Sequence, residues 1–157
     1  MLRAYKYRIY PTDEQKVLFA KTFGCCRFVY NWALNLKIEA YRQEKRSVAY
    51  KEVQDRLVNE LKKENQWLAE VNSQALLNSI RNLDIAYKNF FRDTHAVGFP
   101  RFKSRKNRQS FQCPQHCSID FAKGTITIPK AKDIPAVLHR GFKGTVKTVT
   151  VSMTPSG

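Results

Sequence analysis

The sequence predicts an α+β fold in the order strand, helices, strands. Three observations carry this. Residues 2–11, LRAYKYRIYP, alternate apolar and basic side chains. Between about 12 and 93 the apolar residues recur at helical spacing, and from about 110 onward short β-type runs are separated by turn residues. A lone edge strand is not stable, so the first strand is expected to pair with the late ones, with the helical part inserted between them.

In the first element Tyr5, Tyr7 and Ile9 share one side and Lys6 and Arg8 the other, a half-buried strand ended by Pro11. Thr12-Asp-Glu-Gln15 fits a capping box, the Thr12 hydroxyl accepting from a backbone amide while Gln15 reaches back. A short helix should follow to about Phe23, interrupted by Gly24. In 25–44 the positions Cys25, Phe28, Val29, Trp32, Leu36 and Ala40 trace one helical stripe. Residues 47–65 give another short helix with Val53, Leu57 and Leu61 in line, and Trp67, Leu68 and Val71 form an apolar connector. Asn72-Ser73 starts a helix whose stripe is Leu76, Ile80, Leu83, Tyr87 and Phe90, expected as bundle core and not as a surface on which bases stack. Its polar faces, with Gln74, Asn78, Arg81 and Lys88, are left free to meet a partner.

After Phe91 the texture changes. Residues 97–109, VGFPRFKSRKNRQ, show no helical stripe, and Pro100 disfavours helix at Phe99. Strands are predicted at 110–113, 118–121, 124–128 after a turn at Lys123-Gly124, and 145–153, where Val149, Val151 and Met153 alternate with Thr148, Thr150 and Ser152. Thr154-Pro-Ser-Gly157 is turn chemistry that normally introduces a further strand. The expectation is therefore a chain cut short there, with 145–153 lacking a pairing partner.

Charge narrows the function. The 157 residues hold 28 Lys and Arg against 13 Asp and Glu, a net +15, with 43% hydrophobic and 12% aromatic residues. That is enough apolar content for a packed core and enough positive charge to attract polyanions by counterion release. No apolar run approaches the roughly 18 residues of a spanning helix, and no signal-peptide h-region follows Met1. The reading is a soluble, cytoplasmic, nucleic-acid-binding chain, against the plainer alternative of a basic protein associated with ribosomes. The charge is also uneven: residues 1–93 hold 17 basic and 11 acidic residues, residues 94–157 hold 11 and 2.

Catalytic chemistry finds little footing. Hydrolysis of a phosphodiester by Mg²⁺ needs clustered carboxylates, whereas Glu39, Glu44, Glu52, Asp55, Glu60 and Glu64 fall on exposed faces of expected helices, and Asp120 and Asp133 stand alone. There is no phosphate-cradling glycine loop and no His-x-Glu deaminase motif, and His95, His116 and His139 lie far apart. A zinc site from Cys113, His116, Cys117 and one of Cys25-Cys26 matches no common spacing, and the adjacent pair should point to different faces of a helix. Reduced, partly buried thiols are the better reading, so no catalytic or metal-ligating residue is assigned.

Binding is better supported. Arg101, Lys103, Arg105, Lys106 and Arg108 are interleaved with Phe99, Phe102 and Phe111, and no acid occurs in 94–119. Such cations suit backbone phosphate, with the phenylalanines as loop anchors. Tyr50, Gln74, Asn78, Arg81 and Gln112 are secondary candidates for contacts near bases.

The ordered blocks LRAYKYRIYPTDEQK, FGCCRFVYNWAL, NLDIAYKNFFRD, VGFPRFKSRKNRQSFQ and VKTVTVSM together resemble the N-terminal half of the OrfB/TnpB proteins of bacterial insertion sequences. These are RNA-guided DNA endonucleases, often described as transposases with an N-terminal helix-turn-helix. The resemblance implies a small β-barrel-like wedge domain made of the first strand (1–11) and the late strands (97–157, incomplete at its end), with a helical-bundle recognition domain (12–96) inserted. It implies guide RNA and double-stranded DNA as partners, and a Mg²⁺-dependent RuvC-like nuclease domain and a structural zinc ribbon that have no counterpart in these residues and would be supplied elsewhere. The chain is then expected to bind nucleic acid beside the bacterial nucleoid and not to cut it. The rival from another class is an autonomous helix-turn-helix regulator that binds a defined duplex without RNA.

Overall fold

The computed structural model describes residues 2–93 and 95–153. The turn expected at 154–157 lies outside the described residues. Strand β1 (Arg8–Ile9) is followed by α1 (Asp13–Glu44), α2 (Tyr50–Arg56), a π-helical stretch (Leu57–Leu61), α3 (Lys62–Glu64), a 3-10 stretch (Gln66–Glu70) and α4 (Ser73–Arg92). The strands β2 (Gln109–Cys113), β3 (Ser118–Asp120), β4 (Thr125–Ile128), β5 (Ala131–Val137) and β6 (Val149–Met153) complete a mixed α+β fold.

Helix α1 opens on the predicted capping box. The Gln15 N–H donates to Thr12 Oγ1 at 3.3 Å and the Thr12 N–H to Gln15 Oε1 at 2.9 Å. It closes on Lys45, whose φ of 55° is the left-handed cap. The predicted break at Gly24 does not occur, and one helix runs the whole way. A helical glycine costs about 1 kcal/mol, and burial of Phe19, Phe23, Cys25, Cys26 and Val29 on either side outweighs it. The predicted stripe is also displaced. Phe28 is exposed, while Tyr30, Ala33 and Leu34 are buried, because α1 packs against α4 on one flank and β2 on another.

The helix expected at 47–65 begins at Tyr50, and its row Val53, Leu57 and Leu61 is buried although the chain passes through the π-helical stretch. Leu68 and Val71 pin the connector to the core. Asn72 caps α4, its Oδ1 accepting from the Gln74 N–H at 3.2 Å. Leu76, Ile80 and Leu83 are fully covered, whereas Tyr87 and Phe90 further along the stripe are half-buried.

The strands form a four-stranded antiparallel sheet in the order β1-β5-β4-β3 and a separate ribbon β2-β6. Among the described residues no closed barrel forms, which corrects the barrel-like expectation. The first strand does pair with a late one, Arg8 opposite Val137 and Ile9 opposite Ala136. Its partner β5 is missing from the strands predicted above. In the Lys132-Asp133-Ile134-Pro135 run Asp133 adopts a φ of 53° in a bulge, and its N–H reaches Thr127 Oγ1 at 3.0 Å. Pro135 lacks a donor and uses its carbonyl, which accepts from the Tyr10 N–H at 2.7 Å. The turn before β4 is as predicted, with Gly124 left-handed at φ 71°.

Strand β6 is shorter than the predicted 145–153, and it is not without a partner. It pairs with β2 over five positions, from Gln109 opposite Met153 to Cys113 opposite Val149. The partner lies far back in sequence, at the end of the basic segment, where local turn chemistry gives no hint of it. Phe111 of β2 inserts between Phe19 and Phe23, with ring centroids 5.8 and 5.2 Å away. The ribbon and the helices therefore share one continuous core.

Candidate nucleic-acid interface

Residues 97–108 run without regular structure between α4 and β2. What holds them is a neutral clamp. The Asn31 side chain on α1 donates from Nδ2 to the Lys103 carbonyl at 2.9 Å, and its Oδ1 accepts from the Lys103 N–H at 2.8 Å. Next to it Ser104 and Asn107 close a turn, side chain to side chain at 3.0 Å and backbone to backbone at 3.2 Å. Arg27 on α1 donates to Gln109 Oε1 at 2.8 Å, which fixes where the loop enters β2.

The five cations of this loop are all exposed. Lys103 Nζ lies 4.6 Å from the centre of the Tyr30 ring, and Arg108 Nη2 donates to Ser152 Oγ at 3.2 Å. Arg101, Arg105 and Lys106 have no side-chain hydrogen bond or ion pair among the described residues. Every ion pair in the described residues lies between Lys21 and Lys88: Lys21–Glu70, Arg42–Glu39, Arg46 with Glu44 and Glu52, Arg56 with Glu52 and Glu60, and Lys88–Asp84. The loop thus presents positive charge that no carboxylate answers, the arrangement that phosphate neutralises with release of counterions.

The three phenylalanines divide. Phe111 is a buried anchor at 5% exposure, whereas Phe99 and Phe102 stand 43% and 52% exposed. Phe99 touches Tyr87 and Phe90 edge-on, both at 5.3 Å between centroids.

The secondary candidates are less free than their sequence positions imply. Gln74, Asn78 and Arg81 lie on one face of α4 by spacing. However, Asn78 Nδ2 donates to Gln112 Oε1 of β2, so both amides are partly engaged in joining helix to ribbon. Arg81 is exposed, and Tyr50 is half-buried against the core. Sequence reasoning missed Asn31, Arg27 and Tyr30, the residues that position the loop. The available signal was Asn31 itself, a polar residue set between Tyr30 and Trp32 in the otherwise apolar run 28–34.

Outside the ion pairs, carboxylates cap turns. Asp93 caps the turn after α4 by accepting from the His95 and Ala96 N–H groups at 3.2 and 3.1 Å, and Asp120 accepts from the Lys123 N–H at 3.0 Å. Cys25 and Cys26, expected on different faces, are both buried. Burial pushes the Cys26 thiol up to about 12, which makes it inert. A hydrogen bond from Cys117 and another from the Asn72 amide hold the Cys113 thiol below its ordinary range, and Cys117 is raised in return. No group of three His, Cys, Asp or Glu side chains gathers among the described residues in a way that could hold a metal. A polar cleft bounded by Arg27, Tyr30, Ser79, Asn82 and Lys103 encloses about 40 Å³, which suits a few waters. No described helix is long and apolar enough to cross a membrane.

A family model described as a helix-turn-helix domain, that of the OrfB proteins, matches residues 1–46. The described part of that match contains β1 and a single unbroken helix, so no turn separates two helices before Glu44. The chain is 36% identical over 96% of its length to InsQ of Escherichia coli (strain K12), a candidate RNA-guided DNA endonuclease, and spans 37% of that protein. It is 36% identical over 99% of its length to a candidate RNA-guided DNA endonuclease of Streptomyces pristinaespiralis, spanning 39% of it. Over 69% of its length it is 35% identical to the virulence protein VsdF of Salmonella dublin, of which it covers 98%. By these matches the chain belongs to the OrfB/TnpB family of nucleic-acid-binding transposon proteins.

Proposed function

We propose that this chain grips a guide RNA scaffold and the DNA next to a short transposon-adjacent motif, leaving target sequence to be read by base pairing. The observation that carries the reading is the loop of Arg101, Lys103, Arg105, Lys106 and Arg108, all exposed, none ion-paired and held in place by Asn31. Those five residues take backbone phosphate. Gln74, Asn78, Arg81, Gln112 and Tyr50 lie near bases, with the Asn78–Gln112 bond setting how α4 and β2 meet there. The division into a wedge part (1–11 and 97–157) and a recognition part (12–96) belongs to the same proposal, as does residence beside bacterial nucleoid DNA. Cutting is assigned to none of these residues, whose carboxylates serve surface ion pairs and turn caps. Mg²⁺-dependent cleavage is proposed to need a separate nuclease half, and mixing the two halves should restore it.

The test is to purify the chain with its nucleic acid retained and to sequence what accompanies it. One structured RNA, enriched over bulk RNA, is the expected result. A defined duplex bound tightly without RNA would overturn the proposal in favour of an autonomous regulator. That rival has less support, because α1 runs unbroken through the residues where a recognition helix should be set off by a turn.

A further inference from the structure

At the end of α4 the aromatic residues do not finish packing. Tyr87, Phe90 and Phe91 are joined there by Phe99 from the loop, with Phe90 and Phe91 at 5.2 Å and Tyr87 and Phe91 at 6.1 Å between ring centroids. Lys37 Nζ sits 5.1 Å from the centre of the Tyr87 ring, on α1's side of the cluster. The rings on the outer side stay open: Phe91 is 70% exposed and Phe99 43%. An anchoring phenylalanine in this fold looks different, since Phe111 is 5% exposed.

The surroundings say what would cover these rings. Arg92 follows Phe91 directly, and Arg101 lies two residues beyond Phe99 across Pro100, which keeps the chain extended. The exposed, unpaired cations of the loop continue from there, and the Asn31 clamp holds them in place. An apolar protein partner would have to desolvate those charges. A polyanion with flat apolar faces would instead use both features, rings for the bases and cations for the phosphates. Bases within a duplex are stacked on each other and cannot offer their faces.

We infer that Phe91 and Phe99 form a stacking surface for unpaired bases of a bound strand, whose backbone continues along the loop cations. This inference rests on the nucleic-acid reading above and specifies which form of nucleic acid meets this end of the molecule. Base-on-aromatic stacking tolerates sequence, so the surface selects single-stranded stretches and not a motif.

The experiment uses the full chain, a single-stranded RNA of about twelve nucleotides bearing one 2-aminopurine, and the matching duplex. The variants are Phe91→Leu, which keeps apolar bulk without an aromatic face, Phe91→Tyr, which keeps the ring, and the Phe91→Leu/Phe99→Leu pair. Because Phe91 is largely exposed, thermal melting should confirm that its variants fold as the parent does. Single-strand binding should quench the probe. Phe91→Leu should weaken that binding about tenfold with an unchanged salt slope and unchanged duplex affinity, the double variant should weaken it further, and Phe91→Tyr should bind as the parent does. Equal single-strand binding by Phe91→Leu and the parent would overturn the inference while leaving the loop's role intact. So would self-association of the parent that Phe91→Leu abolishes, which would mark the rings as a protein contact. A parent chain that binds neither probe would instead overturn the nucleic-acid reading beneath it.

Discussion

The helical region up to residue 93 and the region after it are both basic, yet only in the first are some of the cations answered by carboxylates. In the first, 17 basic residues face 11 acidic ones, and lysines and arginines such as Lys21, Arg42, Arg46, Arg56 and Lys88 are answered by carboxylates. In the second, 11 basic residues face 2 acidic ones, and no cation there is ion-paired among the described residues. The exposed pairs of the helical region contribute little stability. Their consequence is to lower that surface's attraction for phosphate. The difference teaches that net charge is not a binding surface: the placement of the carboxylates decides which cations remain available. The basic loop is fixed by the amide of Asn31, which positions charge without neutralising it.

If the helical region is the scaffold, its core should govern stability most strongly. Leu76→Ala, at a fully buried position, should cost about 2–5 kcal/mol in urea unfolding, more than any loop substitution. A second effect of burial appears at alkaline pH. Cys26 is pushed up to about 12 by desolvation, so above its ordinary thiol range the unfolded chain releases a proton that the folded chain keeps. Stability should therefore fall with rising pH from about 9, at about 1.4 kcal/mol per pH unit for each such group. Cys25 is raised by burial and acts in the same direction. Urea titrations should show a shallower loss for Cys26→Ala, and an identical pH dependence would contradict the assignment.

Smaller effects sharpen the contrast from the loop side. Asn31→Ala removes two hydrogen bonds worth about 0.5–1.5 kcal/mol each. It should speed hydrogen exchange at the Lys103 amide and weaken nucleic-acid binding several-fold with no change in salt slope, because every cation is still present. Thr12→Ala opens the capping box and should lower stability by about 1 kcal/mol, leaving binding untouched. A binding loss from Thr12→Ala would blur the line between scaffold and grip.

Much of this fold was legible because its signals are local. The Thr12 and Asn72 caps, the Val53-Leu57-Leu61 row, the Leu76-Ile80-Leu83 row and the Gly124 turn all follow from neighbours a few residues away. What was misread depends on partners distant in sequence. Gly24 stays helical because burial on two flanks of α1 outweighs its propensity, and β5 tolerates Asp133 and Pro135 because β1 and β4 set its register. β6 finds β2 across the basic loop's end. At the candidate site the cations were visible in composition alone. Their clamp on Asn31 and the Asn78–Gln112 bond were not, since each joins residues more than thirty positions apart.

The central claim is that availability and not number makes a cation a phosphate grip, and matched salt titrations test it. One variant replaces Arg101, Arg105 and Lys106 by Gln; the other replaces the ion-paired Lys21, Arg42 and Lys88. Both lose the same formal charge. Measured on one duplex, the slope of log affinity against log salt should fall by about 0.9 per lost contact in the loop variant and stay near the parent's value in the helical one. Equal slopes in the two variants would contradict the account.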